Sequence, residues 1–246
     1  MNNNIEFLKK SLIAHRGMYD TKKGIPENSI GAFQKAIDNN LIIELDVHVL
    51  KDNTVVVFHD DNLNRMCSIN INIKELTIDD LKKFKLQNTQ YRIPTLNEVL
   101  ELVDGKVPLI IEFKYDVKHG RLERYAMKLL QNYKGNFVVK SFSPFSILWI
   151  KKHYPNVIRG ILSCNFSKNN MFILKKWFLR NMIQNFFIKP DFISYDIHSF
   201  PNKKVENYRK NHLVLGWTIR NNDDLELAKK YCDNYICENF DIIKHI

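Results

Sequence analysis

Residues 41–49 form the apolar run Leu41-Ile42-Ile43-Glu44-Leu45-Asp46-Val47-His48-Val49, which carries two carboxylates. Side chains alternate between the two faces of a strand, so Glu44 and Asp46 point to one face while Leu45 points to the other. Like charges on one face of a buried strand repel each other, and a divalent cation with oxygen ligands is the simplest group to hold them together. The run therefore predicts a buried strand and a cation site.

Seven further apolar runs alternate with helical patterns along the chain. The runs cover residues 12–14, 107–113, 137–142, 157–162, 192–195, 213–219 and 235–237, and residues 55–58 form an extra short strand. The helical patterns cover residues 29–39, 96–103, 121–133, 144–154, 171–185 and 223–231, and Thr95 to Glu98 is a capping box. Eight nearly continuous apolar strands separated by helices predict an α/β fold, a single (β/α)8 TIM barrel spanning residues 1–246.

Length and composition favour one ordinary globular domain. The chain has 246 residues, of which 45% are hydrophobic and 26% charged. Its net charge of +10 is spread along the chain as lysine pairs, without a basic helix or an aromatic-interleaved basic motif, so we expect no nucleic-acid partner. The four cysteines form neither a CxxC pair nor a metal-finger spacing, and the first residues lack a signal-peptide core. These features predict free thiols and a cytoplasmic protein.

Residues 171–188 are the most apolar stretch, but three basic residues, Lys175, Lys176 and Arg180, interrupt them. The stretch is too interrupted to cross a membrane, so we expect no stable membrane insertion. We interpret it as an amphipathic helix on the outside of the barrel, with its apolar face buried. The alternative is that its aromatic residues rest on a lipid surface.

Polar residues cluster where the predicted strands end, which is where barrels of this type place their active sites. Glu44 and Asp46 lie on the second strand, and Glu112 lies on the third. A cation held by these three carboxylates fits the hard-oxygen chemistry of Mg²⁺ or Ca²⁺, whereas zinc prefers His or Cys ligands. Other polar residues end the remaining strands: His15, Arg16, Lys114, Lys140, Ser141, Ser163, Tyr195, Asp196, Trp217 and Glu238. Trp217 is interpreted as core packing or as a flat wall against a small organic group, and His48 is left out because we place it beyond its strand.

The ordered motifs resemble those of the glycerophosphodiester phosphodiesterase family, in its bacterial cytoplasmic form. In chain order the matching motifs are His15-Arg16-Gly17, Pro26-Glu27-Asn28-Ser29, Glu44-Leu45-Asp46, His59-Asp60, Glu112-Phe113-Lys114 and Trp217-Thr218. The resemblance implies metal-dependent hydrolysis of a glycerophosphodiester, a small molecule, to sn-glycerol 3-phosphate and an alcohol. It implies that His15 and His59 are catalytic. Arg16 and Lys114 would bind phosphate, and Glu44, Asp46 and Glu112 would hold one divalent cation.

The chain departs from the family pattern at two places. After the eighth strand many relatives carry Thr-Asp where this chain has Cys237-Glu238, and residues 61–94, where relatives carry an insertion over the site, are short and polar. A small lid predicts an open pocket. Two other functions stay open, a lysophospholipase D activity on lysophospholipids and a phosphate- or polyanion-binding barrel without catalysis. Two titratable imidazoles argue against the latter, because a receptor needs no proton transfer.

Overall fold

The apolar runs of the sequence form the strands of the computed structural model, which describes residues 5–116, 118–166 and 172–238. In this part of the chain the nine strands are β1 (Ile13–His15), β2 (Ile42–Val49), β3 (Val55–Val57), β4 (Leu109–Phe113), β5 (Phe137–Ser141), β6 (Arg159–Ser163), β7 (Phe192–Asp196), β8 (Leu213–Ile219) and β9 (Asn234–Cys237). All eight predicted barrel strands are present, with ends shifted by at most two residues. The extra strand, β3, is also present.

Ten α-helices alternate with these strands in the described residues. They are α1 (Ile30–Asp38), α2 (Asn64–Cys67), α3 (Ile78–Leu81), α4 (Leu96–Val103), α5 (Arg121–Leu130), α6 (Pro144–His153), α7 (Ile173–Arg180), α8 (Asn185–Ile188), α9 (Lys203–Arg209) and α10 (Asn222–Tyr231). The predicted capping box opens α4, where the Thr95 hydroxyl accepts from the Glu98 amide and the Glu98 carboxylate accepts from the Thr95 amide. None of these helices combines the length and apolar character that a membrane span requires.

The chain divides into two compact units, and the first is Ala14–Phe137. In this unit β2 pairs in parallel with β4, so that Asp46 lies beside Glu112, and pairs with β3 in antiparallel orientation. Every residue of β2 and β4 is buried, as expected for strands covered on both faces. The two carboxylate-bearing strands are therefore direct neighbours.

The second unit combines Met1–Ile13 with Val138–Ile246. Its strands pair in parallel and in chain order, β5 with β6, β6 with β7, β7 with β8, and β8 with β9. A buried apolar core joins strand residues such as Ile161 and Ile193 to helix residues such as Ile147 and Leu225. Repeated strand, helix and parallel strand is the pattern that the sequence predicted.

Residues 61–94 differ from the expectation of a short polar segment. They contain α2 and α3, and their apolar side chains form a core with Val56 of β3 and with Leu50 and Phe58 in the adjoining loops. Leu63, Ile73 and Leu86 are at most 1% exposed. The prediction was wrong because these apolar residues are separated by polar ones, with turns of helix too short to show a periodic pattern.

The stretch at residues 171–188 also differs from its prediction. Instead of one helix over residues 171–185 there are two, because α7 ends at Arg180 and Met182 adopts a left-handed φ of 56° before α8 begins. Met171 lies outside the described residues. The expectation that the apolar face is buried was wrong, since Phe172, Ile173 and Phe186 are more than 70% exposed.

Candidate functional site

Three buried carboxylates lie together on β2 and β4. Glu44 and Asp46 are two residues apart and share a face, and the register of the parallel pair places Asp46 beside Glu112. One oxygen atom from each carboxylate lies within 4.8 Å of the others. The three residues, in the order Glu44, Asp46 and Glu112, are only 0%, 1% and 6% exposed, so water does little to screen the repulsion between their charges. Such a group must be paired with positive charge or bind a metal.

Lys114 supplies one of these positive charges. Its Nζ lies 2.7 Å from Oδ1 of Asp46 and 2.6 Å from Oε1 of Glu112. Burial by itself lowers the pKa of a lysine, but the two carboxylates outweigh burial and raise the pKa of Lys114. Burial likewise tends to raise the pKa of Asp46, but the surrounding cations, led by Lys114, hold it well below its usual range. Asp46 is therefore ionised at neutral pH, which leaves its carboxylate able to accept a cation.

The turn after β1 ties the His-Arg-Gly motif to the carboxylates. Arg16 and Gly17 have left-handed φ values of 57° and 79°. A side chain at position 17 would place its Cβ 2.9 Å from backbone and side-chain atoms of Ala32, so only glycine fits there. The Arg16 amide donates to Oε2 of Glu44 at 3.1 Å. The turn thus fixes both the main chain of Arg16 and one of the three carboxylates.

The Arg16 guanidinium lies between a buried glutamate and the central aspartate. Nη1 donates to Oε1 of Glu27 at 2.8 Å, and Nε lies 3.5 Å from Oδ2 of Asp46. Asn28 follows Glu27, and its Nδ2 donates to that same Oδ2 at 2.9 Å. Buried Asn28 Oδ1 has no hydrogen-bond partner in the residues that the structure describes. The Pro-Glu-Asn-Ser motif therefore holds Arg16 and Asp46 in place.

The two histidines have different carboxylate partners. His15 ends β1, and its Nε2 lies 3.9 Å from Oε2 of Glu44. Nδ1 of His59 lies 2.6 Å from Oδ1 of Asp60. A carboxylate on Nδ1 fixes the proton at that nitrogen and leaves Nε2 of His59 as the atom that can exchange a proton with substrate.

His48 lies inside β2, so its placement beyond the strand was wrong. Pairing with β3 carries β2 past Val47, the last residue paired with β4, and His48 lies opposite Val56. Burial lowers the pKa of His48 to about 4, so the ring is neutral at pH 7. With its proton on Nε2 it can donate to the main-chain oxygen of His59, 3.3 Å away. His48 thus supports the position of His59.

Arg65 on α2 is a site residue that no sequence pattern pointed to. Its guanidinium donates two hydrogen bonds to Glu27, at 2.7 and 2.9 Å, and two to Asp60, at 2.7 and 3.1 Å. Arg65 therefore links Glu27, which binds Arg16, to Asp60, which binds His59. Glu27, Asn28 and Asp60 belong to motifs that the sequence displays, but no separate role was predicted for them.

Substitution of Arg65 by methionine is expected to reduce the free energy of unfolding at pH 7 by about 1 kcal/mol, allowing for solvent screening of this half-exposed side chain. Burial tends to raise the pKa values of Glu27 and Asp60, but Arg65 bonds contribute to holding both below their usual range. The contribution of Glu27 and Asp60 to the free energy of unfolding is present above their unfolded pKa of about 4, and it is lost as the pH falls through their pKa in the folded protein. Urea unfolding from pH 7 down to about pH 3 measures it.

The difference in free energy of unfolding between wild type and Arg65→Met should therefore become smaller below about pH 4. Lys82→Met is the matched control, because Lys82 is an exposed cation whose partner, Asp79, is also exposed. It should leave stability nearly unchanged. An Arg65→Met effect of equal size at pH 7 and pH 3 would contradict the assigned ion pairs.

Trp217 belongs to the second unit, on β8. Its ring meets the edge of Phe142 at a centroid distance of 5.8 Å and an interplanar angle of 90°. Its proposed contact with substrate stays a prediction. The other seven predicted site residues, listed by role as His15, His59, Arg16, Lys114, Glu44, Asp46 and Glu112, all lie in Ala14–Phe137.

Comparison with known proteins connects this geometry to one family of enzymes. The model of the glycerophosphoryl diester phosphodiesterase family matches residues 15–237. A glycerophosphodiester phosphodiesterase from Caldanaerobacter subterraneus subsp. tengcongensis is 30% identical over 94% of this chain and 95% of its own length. The rat lysophospholipase D GDPD1 is 28% identical over 90% of this chain and 72% of its own length.

Solved structures agree in fold. An Oleispira antarctica phosphodiesterase in complex with the product sn-glycerol-3-phosphate has a TM-score of 0.78 at 21% identity, covering 93% of this chain and 92% of its own. A glycerophosphodiester phosphodiesterase from Thermotoga maritima has a TM-score of 0.73 at 22% identity, covering 96% and 97%. The likeness shows the fold and confirms the predicted (β/α)8 barrel. With a family match over residues 15–237, the chain belongs to the glycerophosphoryl diester phosphodiesterase family, whose members are phosphoric diester hydrolases.

Proposed function

We propose that the protein hydrolyses glycerophosphodiesters to sn-glycerol 3-phosphate and an alcohol. The observation that carries this proposal is the set of three buried carboxylates within 4.8 Å, in the same compact unit as His15, His59, Arg16 and Lys114. A phosphodiester is an anion, and its cleavage needs stabilisation of the phosphate oxygens and proton transfer at two other oxygens. The family match across both units also supports one catalytic domain over residues 1–246.

Glu44, Asp46 and Glu112 would hold the divalent cation. Their buried carboxylate oxygens match the hard ligands of Mg²⁺ or Ca²⁺, and the unpartnered Oδ1 of Asn28 is a further oxygen beside Asp46. When bound, such a cation supplies Lewis-acid stabilisation of negative charge on phosphate oxygens. The protein therefore offers a donor set that fits the group.

Arg16 and Lys114 would bind the phosphate. Both are held in place by carboxylates, which orients their remaining N–H donors before substrate arrives. Donors already fixed in position need little reorganisation as charge develops on phosphate, which favours the transition state. In this proposal the ion pairs therefore serve to position the cations as well as to neutralise the buried carboxylates.

His15 and His59 would move the protons. In the assignment we propose, His15 takes the proton of the attacking oxygen as its bond to phosphorus forms. His59 gives a proton to the alcohol oxygen as its bond to phosphorus breaks. The same pair can serve attack by water or attack by a substrate hydroxyl through a cyclic phosphate. A cyclic phosphodiester resonance in ³¹P NMR during turnover would identify the second route.

Removal of divalent metal with EDTA is expected to abolish turnover, and Mg²⁺ or Ca²⁺ should restore it. Metal binding should also raise the melting temperature, because a ligand that binds only the folded state at about 100 times its Kd adds about 2.7 kcal/mol of stability. Activity and differential scanning fluorimetry on the stripped protein measure both effects. Full turnover in excess EDTA would exclude the metal, whereas metal-induced stabilisation without any turnover would favour a phosphate receptor.

The substrate class is tested by following the phosphomonoester product in ³¹P NMR with a panel of diesters. We expect turnover of at least one among glycerophosphocholine, glycerophosphoethanolamine and glycerophosphoglycerol. A lysophospholipid is included because the similarity to the rat lysophospholipase D makes it the second candidate substrate. Turnover of the lysophospholipid alone would replace the proposed substrate class, and no turnover of any diester with metal present would overturn the function.

We also propose that the protein works in the cytoplasm, on a small diffusible substrate and without a nucleic-acid partner. The four cysteines, Cys67, Cys164, Cys232 and Cys237, are all free thiols, which fits a reducing compartment.

A further inference from the structure

Six large apolar side chains are exposed on α7, on α8 and at the residue before α7. We call this set the α7–α8 surface, and its members, with exposed fractions in parentheses, are Phe172 (74%), Ile173 (79%), Leu174 (68%), Trp177 (58%), Phe186 (79%) and Phe187 (58%). Single exposed apolar residues are common on proteins, but six large ones within residues 172–187 indicate an interaction site. These residues lie far from the site motifs in sequence and belong to the second unit.

The geometry of α7 shows that the exposed face is an apolar face. Ile173 and Trp177 are four residues apart and lie on the same side of the helix, with Leu174 beside them. Leu179 is the only residue of α7 that is buried. A surface helix ordinarily turns its apolar stripe toward the core. In α7 most of that stripe faces solvent instead.

The aromatic residues of α8 are held in place by their neighbours. The rings of Phe186 and Phe187 meet edge to face at 5.3 Å and 87°. The main-chain oxygen of Phe187 accepts a hydrogen bond of 2.6 Å from Nζ of Lys151 on α6. The adjacent Ile188 is buried in the core of the second unit. α8 is therefore anchored on one side and presents two aromatic rings on the other.

The charge of this segment favours an anionic partner. Between Phe172 and Pro190 there are four basic residues, Lys175, Lys176, Arg180 and Lys189, and no Asp or Glu. Aromatic and aliphatic side chains with lysines and arginines around them are the composition of a helix that lies in the interface of an anionic bilayer. A second copy of this chain would bring the same four positive charges to the contact, which disfavours self-association through this face.

We propose that the α7–α8 surface binds reversibly to the surface of an anionic phospholipid bilayer. The aromatic and aliphatic side chains enter the boundary between headgroups and acyl chains, and the basic residues contact lipid phosphates. The binding is peripheral, since no described helix could cross the bilayer. It is independent of the proposed hydrolytic activity, because no residue of this surface belongs to the candidate site.

The test is flotation of the purified chain with vesicles of about four parts phosphatidylcholine to one part phosphatidylglycerol, compared with pure phosphatidylcholine. We expect wild type to float with the anionic vesicles and to be released as salt rises from about 0.05 M to about 0.5 M. Trp177→Ser combined with Phe187→Ser should lower the partition coefficient about tenfold or more. Hydrolysis of a soluble diester should be unchanged in this variant, which also confirms its fold.

Charge is tested with a matched pair of variants. Lys175→Glu with Arg180→Glu should abolish binding, whereas Lys82→Glu with Lys83→Glu, which makes the same charge change on exposed residues elsewhere, should not. Brominated lipid should quench Trp177 fluorescence at the membrane. Trp177→Phe should still bind but lose that part of the quenching.

Three results would overturn the proposal. One is absence of binding to anionic vesicles at low salt. Another is equal binding by wild type and Trp177→Ser/Phe187→Ser. A third is a dimer in light scattering that the same double substitution dissociates, which would assign the α7–α8 surface to a second copy of the chain.

Discussion

Alanine in place of His15 or His59 is expected to lower kcat for glycerophosphodiester hydrolysis by roughly 10²- to 10⁴-fold in either variant. Each ring has a separate task in the proposed reaction, so neither can replace the other. His15 lies beside Glu44, and Asp60 fixes the proton on Nδ1 of His59. The measurement is kcat and kcat/KM with metal present, together with the melting temperature of each variant.

An exposed histidine provides the control. His212 stacks on Tyr208 at 4.1 Å in the second unit, and His212→Ala should keep wild-type kcat. Both site variants should unfold near the wild-type temperature, since their loss is chemical. Activity within a few-fold of wild type in either site variant would remove that histidine from the mechanism.

The two roles are separated by changing the leaving group. In a glycerophosphodiester of p-nitrophenol the leaving group is p-nitrophenolate, which departs as an anion without being protonated. Hydrolysis of this substrate therefore does not need a general acid. His59→Ala should therefore recover a large part of its activity on this substrate, while His15→Ala should not. The reverse pattern would exchange the roles of acid and base.

Asp46→Asn is expected to produce the second large effect, loss of metal-induced stabilisation together with loss of turnover by roughly 10³-fold. Asp46 is the centre of the candidate site, because Lys114, Arg16 and Asn28 all contact or approach it. The amide removes one negative charge while keeping the shape of the side chain. Scanning fluorimetry with and without Mg²⁺ or Ca²⁺ reports on the metal independently of turnover.

Glu123→Gln is the matched control for Asp46→Asn. Glu123 is also a buried carboxylate, but it accepts from the main-chain amide of Gly120 at the start of α5. Its substitution should affect stability alone, and the metal-induced shift in melting temperature should remain. Retention of that shift in Asp46→Asn would contradict the assignment of Asp46 as a ligand.

The barrel could be predicted from the sequence because its signals are local. Strands buried on both faces, such as β2, appear as continuous apolar runs, and the Thr95 capping box marks the start of α4 directly. The sequence also indicated that Glu44, Asp46 and Glu112 lie close together, because each is an acidic residue on an otherwise apolar strand.

What sequence reasoning missed depends on contacts between distant residues. Arg65 and Glu27 are separated by 38 residues and share no periodic pattern, so their ion pair appears only after folding. The position of His48 inside β2 depends on pairing with β3, because the parallel partner β4 ends earlier.

The prediction that the apolar face of α7 is buried failed for a different reason. Periodicity shows that a helix has an apolar side, but not which surface covers that side. Burial was the reasonable expectation for a barrel helix. The exposure of Trp177 and its neighbours, together with the absence of acidic residues between Phe172 and Pro190, leads to a lipid partner instead.

Metal-dependent hydrolysis is tested most directly by measuring release of sn-glycerol 3-phosphate from glycerophosphocholine by the metal-stripped protein, before and after addition of Mg²⁺ or Ca²⁺. We predict no release before addition, release with multiple turnovers after it, and no release at any metal concentration from the variant combining His15→Ala with His59→Ala. Equal release by this double variant and the wild type, or no release by the wild type with either metal, would contradict metal-dependent hydrolysis by His15 and His59.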